Sequence, residues 1–236
     1  MTDKQDNSID TYMLDAYDPA SATALIKKFL EKRHLYQSAI RELNTKLEIL
    51  DDDFSVKYTY NPIHHIEHRL KTPKSILDKA MRKGIDPLKD DIDAITDIAG
   101  IRVICNYRSD VYAVEELLSR QSDIKIIRRK DYIKAPKSSG YRSLHLLVEV
   151  PVFLSDGVTA VIVEVQLRSI AMDTWASLEH ELKYKRHVQL PYHFQKKLRD
   201  CAQRMEKIDM ELQHLHDLMT NSKDNEYNNG ESHEKK

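Results

Sequence analysis

Only two cysteines, Cys105 and Cys201, occur among 236 residues, far apart and inside apolar patterns. That usage excludes a disulfide framework and predicts a reduced, cytoplasmic protein. No apolar run approaches the roughly 20 residues of a membrane helix, so no membrane contact is expected. The opening MTDKQDNSID is polar and acidic and does not read as a secretory signal. Net charge is nearly absent too, because 37 Lys and Arg oppose 38 Asp and Glu to leave −1. The chain as a whole is therefore no electrostatic match for nucleic acid, and any anion site must be built locally. Internal repeats are missing. The length suits one good-sized domain with appendages.

What is present divides by periodicity. Residues 1–17 lack it and are expected to be loose. Asp18-Pro19 supplies a cap and a first-turn proline, and Ala22, Ile26, Phe29, Tyr36, Ile40, Leu43, Leu47 and Leu50 then recur at helical spacing. The N-terminal helical region is 18–60. Asn61-Pro62 and Thr72-Pro73 predict two short helices, the second closed by Gly84, and another helix is expected from about Pro87. IAGIRVICNY, DIKIIRR, SLHLLVEVPVF and TAVIVEVQLRS are β-rich, with a helix at 109–120 between the first two. Helices at 169–185 and about 191–219 follow, the latter lying in a terminal segment, 189–220. Residues 221–236 are polar and expected to be disordered. The fold class is thus α+β: a mixed central sheet of four to five strands flanked by helices, with the core at 61–188.

Four stretches could carry chemistry. In TAVIVEVQLRS one face is Val161, Val163, Val165 and Leu167, while the other presents Glu164, Gln166 and Arg168. Alternation alone fits an edge strand with a wet face equally well, but a mid-strand carboxylate needs a partner, a metal or a proton to abstract. Asp97, in TDIAGIRV, lies at a helix–strand junction beside Gly100, where it either caps a turn or holds a hard cation. Ser75, Lys79 and Arg82 share a helix face after Arg69 and Lys71, either as a solvated face or as a phosphate seat. RRKDYIKAPK adds Arg128, Arg129, Lys130, Lys134 and Lys137, which suit RNA as readily as a triphosphate. Beyond it, KSSGYRSLH predicts a strand whose one face is Tyr141, Ser143 and His145. A fifth stretch, HHIEH, reads His64-x-x-Glu67-His68, the spacing of an inverted zinc-protease motif if helical. No third ligand accompanies it, so surface histidines, or at most a minor zinc site, are expected.

In order, these pieces run R-x-K-x-x-x-S-I, D-I-A-G-x-R, R-x-K-D-Y-I, K-x-S-G-Y-R-S-x-H, E-V-Q-x-R and W-A-x-x-E-H-x-x-x-Y-K. The series, over about 65–185, resembles the synthetase domain of RelA/SpoT-type stringent-response enzymes, and the short length resembles the stand-alone small alarmone synthetases, on the RelP-like side. No room remains for the hydrolase or ribosome-sensing domains of the long enzymes. The resemblance implies a nucleotidyltransferase-like synthetase fold and pyrophosphate transfer from ATP to the 3′-hydroxyl of GDP or GTP. It implies magnesium on Asp97 and Glu164, with Glu164 also activating the hydroxyl. Arg69 and Arg102 would sandwich adenine, and Lys71, Ser75, Lys79 and Arg82 would grip ATP phosphates, with Lys130 nearby. Tyr141 would stack on guanine, while Lys137, His145, Gln166 and Arg168 would position the acceptor and Glu179 would meet the guanine edge. Asp173 departs from the expected asparagine, which puts its guanine contact in doubt.

Two other readings compete. An RNA-binding regulator would use the basic loop with Tyr141 as a stacking platform. A template-independent nucleotidyltransferase would need paired strand aspartates, and Asp91 and Asp93 offer them only in a helical pattern. Finally, Phe194, Leu198, Cys201, Met205, Ile208, Leu212, Leu215 and Met219 form an apolar seam. With the similar N-terminal seam, and with the oligomers of the family resembled, it predicts a homotetramer built by the terminal helices.

Overall fold

The computed structural model describes residues 18–86, 94–184 and 191–230. The N-terminal stretch to residue 17, the helix expected from Pro87, Asp91, Asp93 and the last six residues lie outside them. Helix α1 (Pro19–Lys57) starts where the sequence placed it, with the Asp18 carboxylate accepting from the backbone of Ala20 and Ser21. Strand β1 (Ile63–Leu70) follows, then α2 (Pro73–Lys83), β2 (Ala99–Cys105), α3 (Arg108–Ser119), β3 (Lys125–Asp131), β4 (Leu144–Leu154), β5 (Gly157–Ser169), α4 (Ile170–Tyr184) and α5 (Tyr192–Gly230). The five strands form one mixed sheet in the order β1-β2-β5-β4-β3. Only β2 and β5 pair in parallel; the other pairs are antiparallel.

The sheet has a dry face and a wet one. Ile101, Val103, Leu144, Leu146, Val148, Val163, Val165 and Leu167 are buried on the first, with α1 and α3 in the same core. Leu43 and Leu47 of α1 are fully buried, each worth about 1.5–3 kcal/mol of transfer free energy. This overturns the expectation that the N-terminal seam needs another subunit: Phe29, Tyr36, Ile40, Leu43 and Leu47 are covered by the chain's own core.

Three more expectations are corrected. Residues 63–70 form an edge strand, not a helix, because β2 supplies backbone partners and the Asn61 side chain, tied to Asp51 and Ser55, accepts from the Ile63 N–H to turn the chain away from α1. On a strand Glu67 and His68 point to opposite faces, so the zinc-protease geometry does not arise. Strand β4 begins at Leu144, later than the glycine suggested. Ser143 is buried and donates to the Leu167 carbonyl at 3.1 Å, so it leaves the row with Tyr141 and His145. Helix α5 runs to Gly230, past the predicted end near 219, since no proline or glycine interrupts it earlier.

α5 lies against α4 and the body through a mostly polar stripe. Trp175 Nε1 donates to the Leu198 carbonyl at 3.1 Å, Glu206 pairs with Arg142, and Asp209 accepts from Ser169 Oγ at 2.9 Å. Further along, Gln213 accepts from the Ser109 N–H, and the His216 ring stacks on Tyr107 at 4.2 Å. Met205 of the predicted apolar seam packs beside Trp175 and Ala202, but the rest of the seam toward the C-terminus faces outward, with Ile208 and Leu212 each 48% exposed and Met219 68%. No helix among the described residues is long and apolar enough to cross a membrane.

Candidate active site

The wet face of the sheet gathers most of the predicted residues. Register places Gly100 opposite Arg69 on one side and Glu164 on the other. Arg102 lies opposite Glu67 and Gln166, and His145 opposite Gln166 and Lys130. Strand periodicity therefore puts Glu67, Arg69, Arg102, Glu164, Gln166, His145 and Lys130 on one surface, with Glu164 on the central strand. Gly100 leaves no side chain beside it, and a cleft opens there between Arg69, Lys71, Asp97, Arg102, Glu164 and Gln166.

Asp97, in the turn before β2, is gripped through one oxygen. Its Oδ2 lies 2.5 Å from both Lys71 Nζ and Lys79 Nζ, while Oδ1 is buried without a hydrogen-bond partner. Burial works to raise the Asp97 pKa, but the two lysines outweigh it and hold the carboxyl below its usual range. Burial pushes the Lys71 ammonium down despite the attraction of Asp97. Lys71 reaches Asp97 from the turn after β1, and Lys79 from the second turn of α2. Ser75 sits at the start of α2, its Oγ 3.0 Å from Thr72 Oγ1. Arg82 is not brought into this cluster, since its Nε donates to the Asp78 carbonyl on an exposed helix face.

Glu164 is held from two sides. Its Oε1 lies 3.1 Å from His145 Nδ1 and its Oε2 accepts from Gln166 Nε2 at 2.8 Å. Burial acts to raise its pKa, yet these donors prevail and keep it lowered. The Tyr141 platform stands beyond His145: the Tyr141 hydroxyl is 2.7 Å from His145 Nε2, and Lys137 Nζ is 4.7 Å from the centroids of both Tyr141 and Tyr132. Arg168 is only 4% exposed, and its guanidinium donates to Asp173, Tyr141 and Gln166. Arg168 thus supports the platform from behind, holding Tyr141 and Gln166, two of the residues expected to border the acceptor. Asp173 is likewise engaged with Arg168 at 2.8 Å. Glu179 lies on α4, half-buried, and not on the sheet strands that hold most of the other candidates.

The pairing of Glu67 with Arg102 at 3.4 Å has no signal in the sequence, because it depends on the pairing of β1 with β2. Sequence reasoning missed Tyr132, whose ring meets His145 edge-on at 5.2 Å, although it stands in the quoted R-x-K-D-Y-I. Gly140 has a left-handed φ of +92°, and a Cβ there would come within 2.5 Å of Ala202 Cβ on α5. That closeness between two positions 62 residues apart has no signature in the sequence.

Comparison with known proteins places the chain in a family. The family described as "Region found in RelA / SpoT proteins" matches residues 68–189. The GTP pyrophosphokinase YwaC of Bacillus subtilis is 41% identical over 179 residues, covering 75% of this chain and 85% of the relative. Among solved structures, small alarmone synthetase 2 of Bacillus subtilis superposes with a TM-score of 0.74 at 38% identity, covering 80% of this chain and 98% of that one. Small alarmone synthetase 1 of Bacillus subtilis, bound to its product pppGpp, gives 0.78 at 32% identity, covering 82% and 99%.

Proposed function

The chain belongs to the RelA/SpoT family, and from that premise we propose that it is a (p)ppGpp synthetase, transferring pyrophosphate from ATP to the 3′-hydroxyl of GDP or GTP. The observation that carries this reading is Glu164, held on the central strand between the Lys71–Lys79–Asp97 cluster and the Tyr141 platform. As the acceptor oxygen bonds to the β-phosphorus of ATP, its proton passes to Glu164. The bond from that phosphorus to the bridging oxygen breaks, and AMP leaves with the electron pair. Positioning and cationic stabilisation supply most of the rate in such transfers.

Arg69 and Arg102 flank the adenine; Lys71, Ser75 and Lys79 receive ATP phosphates, with Arg82 and Lys130 at the margin. Tyr141 stacks on guanine, and Lys137, His145 and Gln166 border the acceptor, with Glu179 at its outer edge. The partnerless Asp97 Oδ1 together with Glu164 fits magnesium, which typically takes one or two protein carboxylates plus substrate phosphates. Bound there, magnesium would supply positive charge to the transferring phosphates. Incubating the protein with ATP, magnesium and either GDP or GTP should yield AMP and a slower-migrating guanosine product on thin-layer chromatography. Absence of that product with both acceptors overturns the reading.

Gly140 ties the acceptor loop to α5. In Gly140→Ala the methyl group would collide with Ala202 in a backbone region costly for alanine, by about 1–3 kcal/mol. The KM for the acceptor should rise while that for ATP stays unchanged. Equal losses for both nucleotides would show that the loop does not act on the acceptor side alone.

We propose further that the protein is a cytoplasmic homotetramer, with the outward stripe of α5 as its association surface. Exposed leucine, isoleucine and methionine along one helix face mark an association surface. Light scattering should give about four times the 27.6 kDa chain mass, and Ile208→Asp/Leu212→Asp should lower it. A wild-type monomer would end this proposal; a tetramer that survives the double substitution would move the interface elsewhere.

A further inference from the structure

Five side chains on the wet face close into a ring. Arg168 can only donate, so the 2.7 Å contact from its Nη2 makes the Tyr141 oxygen an acceptor. The Tyr141 hydroxyl hydrogen is then available to His145 Nε2, also 2.7 Å away. A His145 that accepts at Nε2 carries its proton on Nδ1, and Nδ1 lies 3.1 Å from Glu164 Oε1. The second arm leaves the same guanidinium, since Arg168 Nη2 donates to Gln166 Oε1 at 2.7 Å and Gln166 Nε2 to Glu164 Oε2 at 2.8 Å. With the Tyr141 hydrogen assigned to His145 Nε2, every hydrogen bond in both arms points from one buried cation to the two oxygens of one carboxylate. Asp173 fixes the origin by taking the Nη1 donor of Arg168.

We propose that Tyr141 acts twice: its ring is the acceptor platform, and its hydroxyl is a positioning group that holds His145 in the Nδ1–H form and so aligns Glu164. Arg168 is the common anchor of both arms. This inference rests on the synthetase reading for its kinetic consequence, though not for its geometry. Charge-assisted chains of this kind strengthen one another in a partly buried setting, so losing one member loosens the rest.

Tyr141→Phe separates the two roles, because it keeps the ring and removes only the hydroxyl. The acceptor KM should stay within about twofold, whereas kcat should fall about tenfold, or about 1.4 kcal/mol. A tenfold rise in KM with unchanged kcat would instead put the hydroxyl on the nucleotide and overturn the proposal. A second readout needs no turnover: 15N-labelled histidine spectra of the full-length protein should assign His145 to the Nδ1–H tautomer in wild type and show that preference lost in Tyr141→Phe. Identical His145 signals in the two proteins would overturn the ring directly. If the wild type made no alarmone, the synthetase reading would fall, while the tautomer comparison would still decide the geometry.

Discussion

Glu164→Gln should fold and should lose at least a thousandfold in kcat, within the range expected when a general base is removed. The substitution keeps volume and shape, so the dry side of β5 is untouched. On the wet side, however, both neighbours donate: His145 through Nδ1 and Gln166 through Nε2. An amide can satisfy only one of them with oxygen, and it cannot take a proton from the acceptor hydroxyl. A melting temperature within a few degrees of wild type, with product at background, is the expected pair of results. Near wild-type synthesis of ppGpp would show that Glu164 is not the base.

Tyr141→Ala removes the platform entirely. Base–aromatic stacking is worth about 1–3 kcal/mol, so the acceptor KM should rise about 5- to 150-fold. The ATP KM should hardly move, since Arg69, Lys71 and Arg102 lie on the other flank of Glu164. kcat should also drop, by the factor that loss of the hydroxyl alone produces. Equal weakening of both nucleotides would mean that the loop before β4 had collapsed, and Tyr141 would then be a structural residue. Titrating each substrate at saturating levels of the other separates these outcomes.

The two arms of the site differ in how visible they are in the sequence. Strand β5 was legible because period-two alternation placed Glu164, Gln166 and Arg168 against a run of valines. α2 was legible because Thr72-Pro73 and Gly84 bracket it, and both ends fold as local rules require. β1 was not, because Asn61-Pro62 opens helices and strands alike and only pairing with β2 decides. The burial of Arg168 was equally hidden: on an isolated strand it reads as the outer end of a wet face, and only α4, through Asp173, encloses it. The α1 seam misled for the opposite reason, since periodicity reports that a face is buried but not which surface buries it.

The resting arrangement around Asp97 has a consequence for what can enter. Asp97 pairs with two ammonium groups, Lys71 and Lys79, and with Glu164 nearby these four formal charges balance, while Glu67, Arg69 and Arg102 line the same cleft. A bare phosphate could recruit the lysines only by stripping Asp97 of its counterions and leaving a half-buried anion uncompensated. A polyphosphate that carries its own divalent cation would leave no such deficit, because Asp97 and Glu164 would hold the cation while Lys71 and Lys79 became free for the phosphates. On this reading the pocket would act as a counterion lock, favouring a metal-bound polyphosphate over a bare anion.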